Sequence, residues 1–137
     1  ETTDLNSRWP FESDSVGVFR ANDVLKDLAD PIHAMNEAYR CLVHGGLFLI
    51  EVPSTDGRGA FQDPTAKSHW NENGFLYFTN ENQQKYIKQH GCKCRFQVIR
   101  LVTYFPSEWH RTKNISYVHA HLAAIKDGQR LHGLIEV

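Results

Sequence analysis

The side chains able to do chemistry in this chain are few and scattered. Asp63 and His69 lie in a turn-rich stretch, residues 53–78, and either could take a proton from a reacting group. Arg20, Ala21, Asn22 and Asp23 form a polar group that closes a short apolar run, Val16 to Phe19. His119 and His121 are two apart in ISYVHAHLAAI, so on a strand both point to one face. A catalytic zinc would want a third ligand and an open position. No spacing supplies that ligand, so the pair reads as half-exposed strand histidines and no metal is expected. Cys92 and Cys94 sit closer than the C-x-x-C of zinc or redox motifs and read as packing residues. Ser54 follows an apolar run, but no G-x-S-x-G elbow frames it. No G-x-G-x-x-G occurs, and the glycines of DGRGAF are expected to precede no helix.

The elements that would position these groups follow from periodicity. Residues 15–54 read as strand, loop, helix, glycine turn, strand. Asp30 can cap a helix with Pro31 at its first position, where a missing N–H costs nothing. Ile32, Met35, Ala38, Tyr39 and Leu42 then recur at spacings of three and four and give one apolar face, with Glu37 and Arg40 toward its outer side. Gly45-Gly46 is expected to end that helix as a left-handed cap. Leu47 to Val52 is apolar on both faces save for Glu51, which suits a buried parallel strand. The strand–helix–strand order makes Val16–Phe19 and Leu47–Val52 parallel neighbours joined by a right-handed crossover.

Further along, residues 53–78 form a long connection rich in turn formers. Phe61, Trp70 and Phe75 to Phe78 give it apolar mass to bury. Placed after the carboxyl end of a strand, it is either a lid over the ligand crevice or a packed surface loop. Thr79 to His90 reads as a helix, with Tyr86 and Ile87 facing inward and Gly91 ending it. Strands follow at 94–105 and 115–125, separated by a polar loop from Ser107 to Asn114. Asp127-Gly128 signals a hairpin into Arg130–Val137.

The 137 residues amount to one domain, and a net charge of −1 gives no bulk attraction to nucleic acid or anionic lipid. Arg95, Arg100, Arg111 and Lys113 could form only a small patch. No apolar run approaches the ~20 residues of a membrane span, so neither nucleic acid nor membrane is an expected partner. Three cysteines, an odd number, argue against a disulfide framework and for a reducing, cytoplasmic setting.

Trp9-Pro10-Phe11, Asp14-Ser15 and the segments ANDVLKDLADP, MNEAYRCL and HGGLFLIEVPS together resemble the second half of a class I S-adenosylmethionine-dependent methyltransferase. The resemblance covers about residues 1–54 well, and the rest only by order of elements. It implies an α/β fold: a partial Rossmann-like sheet of parallel strands with a C-terminal antiparallel hairpin region. It also implies S-adenosylmethionine as cofactor. Asp4 would receive the adenine amino group and Leu5 would pack on the ring, while Arg20, Ala21, Asn22 and Asp23 would line the methionine end and the acceptor. Where related sequences have Leu-Glu-His, this chain has Leu25-Lys26-Asp27, so the base falls to Asp63 or His69. His44 stands where proline usually precedes Gly-Gly.

The family's first strand ends in a glycine-rich loop that this sequence lacks. Residues 1–137 are therefore expected to be a single domain's C-terminal portion, without the half that cradles the cofactor's methionine and ribose. Such a fragment should bind S-adenosylmethionine poorly and should self-associate through an exposed sheet edge. The methyl acceptor is not legible. Two other readings stand beside this one: a non-catalytic α/β binding or assembly module, and a different nucleotide-binding enzyme whose fingerprint lies upstream.

Overall fold

A computed structural model describes residues 4–127, and its centre is one four-stranded mixed sheet. The strands are β1 (Val16–Asn22), β2 (Leu42–Pro53), β3 (Phe96–Tyr104) and β4 (Tyr117–Ala124), in the spatial order β1-β2-β4-β3. β1 and β2 are parallel, with Phe19 opposite Phe48 and Ala21 opposite Ile50. β4 runs antiparallel to both β2 and β3. The mixed α/β fold expected from the sequence is present, and so is the parallel first pair.

Helix α1 (Pro31–Cys41) makes the crossover between β1 and β2. Asp30 caps it, its carboxylate accepting from the His33 N–H at 3.0 Å, and Pro31 occupies the first turn. Ala34, Met35, Ala38 and Cys41 are buried against the sheet. Phe48, Ile50, Val52, Val118, Ala120, Leu122, Phe96 and Val98 alternate onto that same sheet face and are almost fully buried. Trp70, Phe75 and Phe78 join this core, and their rings stack with centroids 4.8 and 6.1 Å apart for Trp70–Phe75 and Trp70–Phe78.

Several local expectations are corrected. Gly45-Gly46 does not cap α1. The helix stops at Cys41, Leu42 is already extended, and both glycines lie within β2. Between the pairings Val16–Leu42 and Val18–Leu47 the ladder is irregular, and β2 bulges. Gly45 takes φ 77° there, and a Cβ on Gly46 would lie 2.9 Å from the Val43 carbonyl oxygen, so the bulge needs both glycines. β1 runs past Phe19 to Asn22, so Arg20, Ala21 and Asn22 form the carboxyl end of the strand itself.

Glu37 and Arg40 are not on an outer, solvated side. Residues 9–13 fold over them: Glu37 accepts the Trp9 N–H at 2.8 Å, and Arg40 donates to the Trp9 and Phe11 carbonyls at 3.1 and 2.9 Å. The two side chains pair at 2.9 Å, and Glu37 is 8% exposed.

The expected helix from Thr79 to His90 is broken into α4 (Glu81–Gln84) and a 3-10 turn, Lys88–His90, and Tyr86 is exposed. Asn80 supplies the cap, accepting from the Asn82 N–H at 2.9 Å. A segment this short and polar has too little apolar face to hold one continuous helix. Gly91 ends it with φ 90°, as expected. The stretch after β2 holds α2 (Gly59–Gln62) and α3 (Glu72–Leu76), so a one-turn helix does begin within DGRGAF, against expectation, and the polar stretch after β3 holds α5 (Glu108–Thr112), capped by Ser107. The hairpin into Arg130–Val137 falls outside the described residues.

Candidate functional site

Two spaces meet along the carboxyl half of β1. The first, about 280 Å³, lies between the N-terminal segment, β1 and the start of α1. Leu5, Trp9, Phe11, Phe19, Ala21, Val24, Leu28 and Phe48 wall it, and Arg20 is the charged residue among its described lining. Trp9 and Phe11 stand edge-on to Phe19, with centroids 5.3 and 5.5 Å away. These rings are held by the Glu37–Arg40 pair through the backbone of residues 9–11. Arg40 hydrogen-bonded to Glu37 keeps that carboxyl below its ordinary pKa, so the clamp is ionised at neutral pH.

The second space, about 250 Å³, opens at the end of the sheet where β1 and β2 finish and β4 begins. Asn22, Asp23, Glu51, Tyr104, Pro106, His110 and Tyr117 line it. Open α/β sheets bind ligands at the carboxyl ends of their parallel strands. Asp23 turns the chain there with φ 58°, a left-handed conformation that Asp tolerates better than most residues, and its N–H donates to the Glu51 carbonyl at 2.7 Å. Desolvation pushes the Asp23 pKa up; Lys26 opposes the rise, and the carboxylates of Asp27, Asp63 and Glu51 add to it. Burial likewise raises the Tyr117 phenol, helped by Asp23 and Glu51. Glu51 lies 3.6 Å from His119 Nδ1.

The sequence-derived candidates divide between these spaces and their surroundings. Leu5, Arg20 and Ala21 line the first, and Asn22 lines the second. Asp4 is exposed, its carboxylate accepting from the Asn6 N–H and the Ser7 hydroxyl, both at 3.0 Å, which lowers its pKa. Asp63 accepts from the Thr65 hydroxyl and N–H at 2.7 and 2.9 Å and pairs with Lys26 at 3.2 Å; together these lower its pKa to about 2. His69 stacks on Phe61 at 4.7 Å and borders a shallow groove with Pro31, Ile32 and Tyr77. Asp63 and His69 thus sit in different surroundings, and neither lines the two spaces along β1. Sequence reasoning passed over Asp23's neighbours Glu51, His110 and Tyr117. Glu51 carried a usable signal, being the single charge in an otherwise apolar run.

His119 and His121 share a face, as their spacing required, with ring centroids 4.1 Å apart. Among the described residues no group of three or more His, Cys, Asp or Glu is placed to hold a metal ion. Nor, among those residues, is any helix long and apolar enough to cross a membrane.

Residues 2–50 match the family model of a methyltransferase domain. No curated protein matches the sequence significantly. Among solved structures, the chain is similar to one from the complex between the Haloferax volcanii Trm112 methyltransferase activator and a methyltransferase described there as putative, at TM-score 0.65 and 16% identity over 90% of this chain. It is similar to the [4+2]-cyclase SpnF at TM-score 0.60 and 11% identity over 91% of this chain. A Listeria monocytogenes protein described as a putative S-adenosylmethionine-dependent methyltransferase matches at TM-score 0.58 and 15% identity over 92%. The chain spans 60%, 55% and 68% of the length of these three neighbours, respectively. At such identities the likeness is one of fold: a partial Rossmann-like methyltransferase sheet.

Proposed function

We propose that this chain, with its methyltransferase-type sheet, serves S-adenosylmethionine-dependent methyl transfer by supplying the adenine wall and the acceptor cleft. The observation that carries the reading is the junction on β1, where Arg20 and Ala21 line an apolar cavity and the next two residues line a polar cleft. A cofactor with a flat apolar base at one end and a reactive methyl at the other needs that change of environment within one strand.

The fit is partial in an instructive way. About 280 Å³ lies just below the roughly 300–1,000 Å³ of pockets that enclose a whole drug-sized ligand, so the cavity takes one ring system rather than an entire nucleoside amino acid. Leu5, Phe19 and Ala21 would pack on the adenine, with Asp4 at the rim as acceptor for its amine. Arg20 and Asn22 would face the cofactor's charged end. When bound, the group supplies a methyl on a sulfonium, already activated for transfer, so the protein's task is alignment and proton removal.

In the cleft, Asp23 is the group we assign to proton removal. It lines the space, and its raised pKa brings it closer to the range of a working base. Asp63 suits a different task, holding Lys26 beside that carboxylate. His69, on α3's side of the loop, is kept as the alternative base should residues 53–78 close over the cleft.

A protein partner also fits the reading. The Haloferax neighbour is seen in complex with an activator, and among the described residues β1 is an edge strand, with Val18 54% exposed. A second copy pairing along that edge is the association we propose. The same fold in a [4+2]-cyclase keeps a non-methylating binding role as the second reading.

The test is an NMR titration of the chain with adenosine. Shifts confined to Leu5, Trp9, Phe19 and Ala21 support the assignment; shifts elsewhere, or none at saturating ligand, reject it.

A further inference from the structure

Cys92 and Cys94 have no part in the site above, yet they are held together with some care. Their sulfurs lie 3.6 Å apart, and neither is in a disulfide. Asn36, on α1, fixes the backbone on both sides of Cys92: its amide donates to the Gly91 carbonyl at 2.7 Å and accepts from the Lys93 N–H at 2.8 Å. Gly91, at φ 90°, turns the chain into this clamp. Gln84 reaches in from α4 and donates to the Cys92 sulfur at 3.4 Å and to the Cys94 carbonyl. Three separate segments therefore converge on one dithiol.

The two thiols are not equivalent. Cys92 is 8% exposed and Cys94 2%. Donation from the Cys94 thiol, then from Gln84, lowers the Cys92 pKa to about 6, while the same hydrogen bond and burial push Cys94 strongly upward. Lys88 adds to the effect on Cys92. Both shifts favour the outer sulfur as the thiolate and the inner one as the thiol that keeps its proton. Residues 92–95 lie outside every helix and strand, so no ladder hydrogen bond prevents the sulfurs from closing to the bonding distance of about 2.05 Å.

We propose that Cys92 and Cys94 form a modification site, a dithiol that hydroperoxides oxidise to an intramolecular disulfide. The Cys92 thiolate attacks the peroxide O–O bond, giving Cys92 sulfenic acid and releasing hydroxide, with the peroxide reduced by two electrons. The Cys94 sulfur then attacks the Cys92 sulfur: the S–S bond forms, the S–O bond breaks, and the Cys94 proton leaves with the hydroxyl as water. The balance is two thiols and one hydrogen peroxide to one disulfide and two waters. Thioredoxin-type or small-molecule dithiols would reverse it by exchange. Cys41, fully buried and with a raised pKa, is the internal comparison.

The experiment treats the full chain with stoichiometric hydrogen peroxide at neutral pH, blocks free thiols with iodoacetamide and digests with trypsin. Cleavage after Lys93 separates the two cysteines, so a disulfide leaves the flanking peptides joined until reductant is added. The expected result is that joined pair, two hydrogen atoms lighter than the separate thiol peptides, with Cys41 alkylated throughout. Cys94→Ser should stop at a Cys92 sulfenic acid that dimedone traps, and Cys92→Ser should leave Cys94 reduced. Oxidation of Cys41 first, disulfides between chains, or no dimedone adduct in Cys94→Ser would overturn the proposal.

Discussion

Leu49 and Ile50 are adjacent on β2 and live in different environments. Ile50 is 1% exposed and lies under α1 with Met35 and Ala38, whereas Leu49 points to the opposite face and is only half-buried. The whole sheet divides this way. On the α1 face Phe48, Ile50, Ala120 and Leu122 make a dry core. On the other, Val18, Arg20, His119, His121 and Arg100 remain open to water to varying degrees. On that open face of β2 the apolar Leu47 and Leu49 are followed by the charged Glu51. One side of the sheet is thus covered by the described residues, and the other is left partly open by them.

The sharpest way to break this contrast is to truncate both neighbours. Ile50→Ala should cost about 2–5 kcal/mol, the range for emptying a core site, and Leu49→Ala no more than about 1 kcal/mol, because its site is already wet. Urea unfolding measures both. Equal losses would mean that the second face is packed after all.

Next in size is the clamp that keeps the first face closed over the cavity. Arg40→Met leaves the Glu37 carboxylate facing Trp9 without its cation, and breaking such a pair costs about 3 kcal/mol. The pH dependence has a definite sign. Glu37 has a folded pKa below its unfolded 4.5, so its stabilisation is complete above about that value and is lost as pH falls through the folded pKa. Acid titration of stability, followed by Trp fluorescence, should show this slope in the natural chain and a flatter one in Arg40→Met. An unchanged slope would remove the clamp from the account.

Smallest in stability, but informative about the open side, is Val18→Lys on the edge strand. With 54% of Val18 exposed, it should change folding stability by no more than about 0.5 kcal/mol while suppressing self-association, which sedimentation at high concentration measures. A natural chain that stays monomeric at every concentration would sink the edge-pairing proposal.

What the sequence disclosed follows the same division. The α1 crossover was legible because Asp30, Pro31 and the three-four spacing of Met35 and Ala38 are local signals that tertiary packing reinforces. The parallel pairing followed from the apolar run of β2. Gly45-Gly46 misled, because a glycine pair fits a helix cap and a strand bulge equally well; only the pairing with β1 decides between them. Glu37 and Arg40 read as residues of the helix's outer side, since nothing local reveals that residues 9–13 fold back over them. The polar cleft was invisible for a related reason: Asp23, Glu51, His110 and Tyr117 come from four separate segments and meet only at the end of the sheet.

The central proposal is that the cavity beside Ala21 forms an adenine wall and that the described residues make up only part of a cofactor site. Calorimetric titration with S-adenosylhomocysteine, on the natural chain and on Ala21→Trp, tests it directly. A micromolar site corresponds to about −8 kcal/mol, and charge-assisted hydrogen bonds contribute roughly 1.5–3 kcal/mol each. With no glycine-rich loop among the 137 residues to hold the amino-acid end, the account predicts binding in about the millimolar range, abolished when the indole fills the cavity. Micromolar binding, or binding that survives Ala21→Trp, would contradict it.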